Sequence, residues 1–289
     1  MASFVDPIFH HRKSLESDAD ASNILSTLTV IELNPTELCN RTCVFCPRAD
    51  PQVYKNRKRF MSLATAERIA EGLAEINFGY RGQISVSGFG EPLLNDDIVE
   101  IIAKLRRHLP GVYIELICNG DFLSVELIRS LLNRGVNTIL VNLYDGAHQI
   151  ADFEERFRGI PPARYILRHH YLGAEDSYGL TLNNRTGLVG IRGPLAKPAE
   201  RACYVPFYKM MIDWNGNHLL CFNDWGRRAS VAGNVNEQSI RELWLSPSME
   251  AYRRELLEER RSLTPCNTCD VIGTLHGKAS YDAFKEYYE

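Results

Sequence analysis

Residues 28–46 read LTVIELNPTELCNRTCVFC, and this stretch decides how the rest of the chain is interpreted. The apolar run at residues 28–34 predicts a buried β-strand. Three cysteines, Cys39, Cys43 and Cys46, follow in the loop directly after it. One short loop can fold three thiolates around a single metal centre, and three are one too few to saturate a four-iron cluster. The spacing therefore predicts a cluster with one iron open to a small molecule, with a zinc ion completed by a remote His or Asp as the alternative.

Downstream of this loop, β-rich apolar runs alternate with stretches of helical period. That pattern is typical of a parallel sheet wrapped by helices, and it predicts an α/β fold built as a βα barrel or part of one. The strands predicted after the first span residues 83–87, 112–118, 137–143 and 164–170. No sixth strand is predicted, because residues 171–200 are rich in glycine and carry little periodicity.

Capping and turn residues add detail to this pattern. Ser62 is predicted to cap the helix after the cysteine loop, and Asn95 to cap the helix after the second strand. The Asn-Gly pair at residues 215–216 is a strong turn signal, and it predicts a hairpin between residues 207–213 and 218–221.

The composition is that of an ordinary globular protein, with 45% hydrophobic residues, 24% charged residues and a formal net charge of -3. Such a charge supplies no field that would gather nucleic acid or an anionic membrane, so neither partner is expected. No export signal and no run of about 18 apolar residues is found in the sequence, which predicts a cytoplasmic protein. Because the cytosol keeps thiols reduced, the eight cysteines are expected to bind metal and not to form disulfides.

The spacing Cys39-x3-Cys43-x2-Cys46, with Phe45 just before the third cysteine, resembles the signature of the radical S-adenosylmethionine (SAM) superfamily. In that family the amino and carboxylate groups of SAM chelate the open iron, and the reduced cluster splits the sulfonium to give a 5'-deoxyadenosyl radical. The resemblance implies a partial (βα) barrel of the radical SAM type, with SAM and a 4Fe-4S cluster as cofactors. It also implies an electron donor such as flavodoxin or ferredoxin.

A second match follows the second predicted strand. Gly90-Glu91-Pro92 is similar to the family's glycine-glutamate loop, in which the glutamate and the backbone hold the amino group of the cofactor. A cationic amine needs a hydrogen-bonding anion, and glycine lets the backbone approach closely. Three further residues near strand ends are candidates to line the cofactor pocket: Asn119, Asn142 and Arg168.

Four more cysteines lie in the C-terminal third of the chain: Cys203, Cys221, Cys266 and Cys269. Four thiolates can saturate a second four-iron cluster, and a closed zinc knot is the structural alternative. The surrounding sequence, including residues 203–207, resembles the SPASM and shorter twitch domains of radical SAM enzymes, whose cysteines hold auxiliary clusters. Because only four cysteines are present, the resemblance implies one auxiliary cluster and not two.

These resemblances predict how the chain is divided. The predicted parts are an N-terminal extension (1–27), the radical SAM partial barrel (28–200), a small SPASM/twitch domain (201–275) and a C-terminal tail (276–289).

The short barrel, the cysteine spacing and the Asn184-Arg185-x-Gly187 segment together look most like the twitch dehydrogenases that oxidise a secondary alcohol of an aminocyclitol in antibiotic assembly. The implied activity is oxidation of a small polar substrate such as a sugar, an aminocyclitol or a similar alcohol. Arg185 is the predicted substrate contact, because its rigid guanidinium can hold hydroxyl or carboxylate oxygens. Loss of the hydroxyl proton requires a base, and four residues are candidates: Asp145, His169, His170 and Glu175.

Three alternatives stay open at the level of sequence. Cys118 ends the third predicted strand and could donate a hydrogen atom, which would make the protein a radical epimerase. A peptide-modifying SPASM enzyme is the second alternative. The third is a non-catalytic module with zinc at both cysteine sets.

Overall fold

The protein was examined as a computed structural model, which describes residues 19–78, 82–170, 183–190, 195, 197–229 and 233–289. Its centre is one sheet of seven strands in the order β5-β4-β3-β2-β1-β6-β7. The strands are β1 (Val30–Leu33), β2 (Gln83–Val86), β3 (Tyr113–Cys118), β4 (Thr138–Leu143), β5 (Tyr165–His169), β6 (Lys209–Ile212) and β7 (His218–Leu219). Strands β1 to β6 run parallel, and β7 pairs antiparallel with β6.

Eight α-helices accompany the sheet in the described part of the chain. They are α1 (Leu63–Glu75), α2 (Ile98–His108), α3 (Val125–Arg134), α4 (His148–Arg156), α5 (Val205–Tyr208), α6 (Ile240–Trp244), α7 (Pro247–Leu257) and α8 (Lys278–Tyr288). The first three follow β1, β2 and β3 in turn, as a parallel sheet requires of its crossovers. None of the described helices is long and apolar enough to cross a membrane.

The predicted α/β fold class is confirmed: a largely parallel sheet is accompanied by helices, and the five predicted strands of the barrel are present. Strands β1 and β4 are buried throughout, as expected of parallel strands covered on both faces, and their sequences are nearly continuous apolar runs. Helix α1 starts where its predicted cap places it, since the Ser62 side chain accepts a hydrogen bond from the backbone N–H of Thr65. Ser124 caps α3 in the same way, by accepting from the backbone N–H of Leu127.

The helix after β2 begins differently from the prediction. Asn95 does not cap it: α2 starts at Ile98, with Asp97 in the position before it. Asn95 instead donates hydrogen bonds from Nδ2 to the carbonyl oxygens of Pro35 and Met61, at 3.0 and 3.2 Å. Its side chain therefore ties the loop after β2 to the loop after β1.

The sheet has a sixth parallel strand, β6. The sequence predicted this segment only as the first strand of a hairpin. Strand β6 pairs with β1 in register, Val30 with Lys209 and Leu33 with Ile212. The predicted hairpin is present as the β6–β7 pair, but its first strand extends the main sheet. The sheet thus continues across the predicted boundary at residue 200.

The C-terminal residues also contribute to the core. Helix α8 buries Phe284, and the hydroxyl of Ser280 donates to the carbonyl oxygen of Thr27 at 2.9 Å. Trp244 of α6 is fully buried, and its Nε1 donates to the Thr27 hydroxyl at 3.2 Å. The segment predicted as a tail therefore contains a helix that packs beneath the start of the barrel.

Candidate active site

A cavity of about 260 Å³ lies at the carboxyl ends of the parallel strands. This is the edge at which loops of βα folds gather functional side chains. Its wall contains twelve of the residues predicted from the sequence: Cys39, Cys43, Phe45, Cys46, Gly90, Glu91, Cys118, Asn119, Asn142, Arg168, His170 and Arg185. Pro92 is not part of the wall, because it lies behind the loop as the first residue of a short 3-10 helix.

The loop after β1 presents its three cysteines to this cavity and is held in place by neighbouring side chains. The backbone N–H of Cys39 donates to Asn56 Oδ1 at 3.0 Å, and Asn56 Nδ2 donates back to the carbonyl oxygen of Cys39 at 2.8 Å. Asn56 also receives a hydrogen bond of 2.6 Å from Arg48 Nη1. These contacts fix the first cysteine relative to the rest of the loop.

Arg48 joins the cysteine loop to the loop after β2. Its guanidinium donates to the carbonyl oxygen of Phe89 from Nε at 2.9 Å and from Nη2 at 2.7 Å, and it also bonds the carbonyl oxygen of Glu37. The side chain is buried and lies over the ring of Tyr54, with 4.7 Å between the guanidinium carbon and the ring centroid. Sequence reasoning missed this residue, and no local pattern around it distinguishes it from a surface arginine.

Arg41 anchors the other side of the cysteine loop. Its guanidinium donates to both carboxylate oxygens of Asp121 and to both of Asp145, with distances of 2.5 to 2.7 Å. These acids follow β3 and β4, so one side chain connects the loop after β1 to two other strand ends. The hydrogen bonds to Arg41 lower the pKa of Asp145, which makes this carboxylate a weak base.

The loop after β2 is shaped by close backbone approach. Gly88 has φ of +109° and packs on Asn34, whose Oδ1 accepts a hydrogen bond of 2.8 Å from the Phe89 N–H. A Cβ added to Gly90 would lie 2.1 Å from the carbonyl oxygen of Thr36. The loop therefore needs glycine at these two positions to reach the cysteine loop.

Glu91 is buried at the end of this loop. Its Oε2 accepts a 2.7 Å hydrogen bond from the Asn119 N–H, and its Oε1 accepts a 3.1 Å bond from the Leu93 N–H. Burial raises the pKa of Glu91 to about 7. A buried carboxylate held in this way is suited to receive a cationic group that enters the cavity.

Two polar atoms on the cavity wall lack a hydrogen-bond partner among the described residues. Asn142 Oδ1 on β4 and His170 Nδ1 after β5 are buried and have no hydrogen-bond partner there. Buried polar atoms normally find a partner, so these two atoms are suited to a polar ligand. Arg168 of β5 completes this side of the cavity.

Three rings form an aromatic corner beside the cysteines. The centroids of Phe45, Tyr144 and His170 are separated by 5.4 to 5.8 Å. Their faces offer an apolar surface for a flat ligand group such as a purine. Phe45 was predicted from its place in the cysteine motif, whereas Tyr144 lies in a loop with no sequence signal.

Arg185 is partly buried and lies where the cavity meets the C-terminal part of the chain. Its Nη1 donates to Asn223 Oδ1 at 3.2 Å, and burial lowers its pKa. Arg185 and Thr186 have φ of +47° and +57°, a strained pair for non-glycine residues. Such strain persists only where surrounding contacts enforce it, and here Asn184 Nδ2 donates to the carbonyl oxygen of Thr268 at 2.8 Å.

The candidate bases are not brought together. Asp145 is engaged by Arg41 and lies outside the main cavity, and His169 is not part of its wall. His170 lines the cavity, and burial lowers its pKa to about 4. Glu175 lies outside the described residues. Cys118, the candidate hydrogen donor, lines the cavity with only 2% of its surface exposed, and burial raises the pKa of its thiol.

The second cysteine set lines a cavity of its own. Cys203, Cys221, Cys266 and Cys269 surround it, together with Thr186 and Arg261. Arg261 donates to the carbonyl oxygens of Ala202 and Val271 at 2.8 and 2.7 Å, which ties the segment of the first cysteine to the segment after the last. Gly273 approaches so closely that an added Cβ would lie 2.5 Å from the sulfur of Cys203.

The walls of the two cavities adjoin through residues that are neighbours in the chain. Arg185 lines the first and its neighbour Thr186 lines the second; likewise Phe222 lines the first and Cys221 the second. At each of these two places, the wall of one cavity is therefore only one residue along the chain from the wall of the other. An electron leaving a molecule in the first cavity would have a short path to the second cysteine set.

The spacing of the sulfurs distinguishes a cluster from a single ion. In a tetrahedral zinc site with Zn–S bonds of about 2.3 Å, the sulfurs are about 3.8 Å apart. Among the described residues, which include all eight cysteines, no three cysteine sulfurs lie within 4.8 Å of one another. Thiolates that bind different irons of one cluster are farther apart than the ligands of one ion, so both sets fit iron-sulfur clusters better than zinc.

The pKa values of the seven cysteine thiols are consistent with metal binding. Burial raises the pKa of all seven, for example to about 11 for Cys43 and to about 12 for Cys266. At neutral pH the thiolate form therefore requires a metal to replace the proton. None of the seven is in a disulfide.

Comparison with known proteins agrees with the geometry. The Radical SAM superfamily matches residues 33–190, and the iron-sulfur cluster-binding SPASM domain matches residues 203–270. The S-adenosyl-L-methionine-dependent 2-deoxy-scyllo-inosamine dehydrogenase of Niallia circulans is 28% identical, over 88% of this chain and 97% of its own. The PqqA peptide cyclase of Methylocella silvestris is 24% identical, over 81% of this chain and 78% of its own.

Among solved structures, BtrN in complex with AdoMet and 2-DOIA superposes with a TM-score of 0.73 at 26% identity, covering 87% of this chain and 96% of BtrN. The structure of anSMEcpe with bound AdoMet superposes with a TM-score of 0.51 at 13% identity, covering 90% of this chain and 93% of that chain, which shows a shared fold.

Proposed function

The chain belongs to the radical SAM superfamily, and from that premise we propose that it is a dehydrogenase that oxidises a secondary alcohol of a small polar molecule, with an aminocyclitol as the first candidate. The similarity to the 2-deoxy-scyllo-inosamine dehydrogenase, which extends over nearly the whole of both chains, supports this substrate class. The observation that carries the reaction type is that the two cysteine-lined cavities adjoin at two places, Arg185 beside Thr186 and Phe222 beside Cys221. An alcohol oxidation must remove an electron from the substrate after a hydrogen atom has gone, and this arrangement gives that electron a short path.

The proposal assigns one cluster to each cysteine set. Cys39, Cys43 and Cys46 would hold the 4Fe-4S cluster that binds SAM, and the four C-terminal cysteines would hold the auxiliary 4Fe-4S cluster. When bound, these groups supply reductive cleavage of SAM to a 5'-deoxyadenosyl radical and an acceptor for the electron left on the substrate.

Residues around the first cavity would bind and orient SAM. Glu91 would accept hydrogen bonds from its amino group, while the backbone at Gly90 approaches closely. Asn119, Asn142 and Arg168 would bind its other polar groups, and Phe45 would contact the adenine. The unsatisfied Oδ1 of Asn142 supports a polar ligand on that side.

Arg185 would hold the substrate. Its guanidinium is partly buried in the cavity wall and forms no ion pair with a described carboxylate, so oxygens of a bound polyol can bind it in place of water. The strained backbone at Arg185 and Thr186 supports a functional role, because it fixes the direction of the side chain.

Three further parts belong to the proposal. A flavodoxin or ferredoxin would reduce the first cluster, and a cytoplasmic location would keep the thiols available. The division at residues 27, 200 and 275 is also proposed, with the qualification that β6 completes the barrel sheet.

Anaerobic reconstitution and product analysis test the function. The expected results are about eight iron atoms per chain for two four-iron clusters, formation of 5'-deoxyadenosine on reduction, and loss of two hydrogens from 2-deoxy-scyllo-inosamine. The second candidate is the epimerase, favoured only by the position of Cys118 on the cavity wall. A product of unchanged mass in ordinary water that gains one deuterium when the reaction is run in deuterated solvent would establish the epimerase and reject the dehydrogenase. Retained zinc without SAM cleavage would reject both.

A further inference from the structure

Glu32 is an acidic residue inside a strand that otherwise reads as apolar. It lies on β1 between Ile31 and Leu33, it is 8% exposed, and it forms part of the wall of the first cavity. The hydroxyl of Ser87 donates to Glu32 Oε1 at 3.2 Å. An apolar residue would satisfy the strand equally well, so the carboxylate calls for a separate explanation.

The charge of Glu32 is matched by a buried lysine. The ammonium of Lys209, on the adjacent strand β6, forms an ion pair with Glu32 Oε2 and lies 4.3 Å from the centroid of the Phe222 ring. Both side chains are nearly fully buried. Burying such a pair costs desolvation energy that its attraction often fails to recover, and apolar residues of similar size frequently give equal or greater stability. The pair is therefore better explained by a role in the cavity than by stability.

Glu32 is one of two carboxylates on the described wall of this cavity. The other, Glu91, lies beside the cysteine loop and already accepts hydrogen bonds on both of its oxygens from backbone N–H groups. Asp145 is held by Arg41 and lies outside the wall. Glu32 interacts electrostatically with Arg185, and its partner Lys209 lies against the ring of Phe222; these two residues adjoin the wall of the second cysteine set.

We propose that Glu32 is the proton acceptor for the substrate hydroxyl and that Lys209 is a positioning residue that holds this carboxylate in place on the cavity wall. The inference rests on the proposed alcohol oxidation. In that reaction the carbinol C–H bond gives its hydrogen atom to the 5'-deoxyadenosyl radical. The O–H proton then goes to the Glu32 carboxylate, the remaining electron goes to the auxiliary four-iron cluster, and the carbonyl bond forms.

The test compares Glu32→Gln with wild type and with a matched control, Glu115→Gln. Glu115 is also a buried carboxylate of the barrel, bonded to Ser85 Oγ at 2.6 Å, but it is not part of the cavity wall. The probe is 2-deoxy-scyllo-inosamine carrying deuterium on the carbinol carbon, with dithionite as reductant. Ketone, 5'-deoxyadenosine and deuterium in 5'-deoxyadenosine are measured by mass spectrometry.

In Glu32→Gln, deuterium should still enter 5'-deoxyadenosine, whereas ketone formed per 5'-deoxyadenosine should fall about 100-fold, at the lower end of what a general base contributes. Lys209→Met should lower the same ratio at unchanged iron content. A second readout requires no turnover: equilibrium dialysis of the probe with SAM-loaded, unreduced protein should show about 10-fold weaker binding to Glu32→Gln, as expected for loss of one charged hydrogen-bond acceptor. Glu115→Gln should match wild type in the ratio and in binding.

Two results would overturn the assignment. If Glu32→Gln keeps the wild-type ratio of ketone to 5'-deoxyadenosine, the proton goes elsewhere. If Lys209→Met keeps that ratio while Glu32→Gln loses it, Lys209 has no positioning role. A wild-type protein that cleaves SAM but forms no ketone contradicts the proposed function itself, so the two failures are distinguishable.

Discussion

Replacement of Arg48 by methionine should weaken both the fold and the cofactor site. Methionine keeps a long apolar side chain but removes the guanidinium, which bonds the carbonyl oxygens of Phe89 and Glu37 and the side chain of Asn56. Three acceptors in a largely buried position then lose their donor, at about 1–3 kcal/mol each. Partial relaxation and access of water reduce the sum, so the expected loss in free energy of unfolding is about 3–5 kcal/mol.

Urea unfolding of the cluster-loaded protein under anaerobic conditions measures this loss, and equilibrium dialysis measures SAM binding. SAM should bind at least about 10-fold more weakly, because Arg48 is a direct side-chain link between the cysteine loop and the loop that carries Glu91. Arg107→Met is the matched control: Arg107 is 62% exposed and bonds only Glu67 among the acids, so its loss should cost less than about 0.5 kcal/mol. A loss below about 1 kcal/mol for Arg48→Met, with unchanged SAM binding, would refute the bridging role.

Three further substitutions test individual parts of the site. Cys118→Ala should leave ketone formation within about two-fold of wild type, because the proposed oxidation uses no hydrogen donor. Mass spectrometry of the product measures this. Loss of turnover with retained SAM cleavage would favour the epimerase. Gly90→Ala should abolish SAM binding in equilibrium dialysis, since its Cβ would lie 2.1 Å from the Thr36 carbonyl oxygen; unchanged affinity would show that the loop can retreat. Cys269→Ala should reduce iron from about eight to about four atoms per chain while SAM cleavage persists; an iron assay that still finds about eight would place the auxiliary cluster elsewhere.

The sequence could predict those parts of the site in which local pattern and chemistry coincide. The spacing of Cys39, Cys43 and Cys46 indicates a metal centre because the three residues must share one loop. Glu91 could be found for a related reason, since it follows a strand and two glycines at a turn. Each of these signals lies within about ten residues, where sequence neighbours are also spatial neighbours.

The residues that escaped prediction act across long sequence separations. Lys209 lies 177 positions after its ion-pair partner Glu32, and the two meet only because β6 pairs with β1. Arg48 and Tyr144 likewise derive their roles from what packs against them and not from their neighbours in the sequence. The sixth parallel strand was missed for the same reason: the hairpin signal at Asn215-Gly216 is local, whereas the pairing of β6 with β1 is not.

The position of β6 also limits how independent the two halves of the molecule can be. Asn34, at the end of β1, donates from Nδ2 to Asp213 Oδ1 at 2.7 Å and accepts from the Phe89 N–H at 2.8 Å. Asp213 follows β6, and Arg227 bonds both Asp213 and Glu37 of the cysteine loop. The C-terminal part therefore supports the loop geometry on which SAM binding depends, in addition to supplying four cysteines. Because β1 would lose its β6 partner and Asn34 its acceptor, a chain ending near residue 200 should lose the first site together with the second.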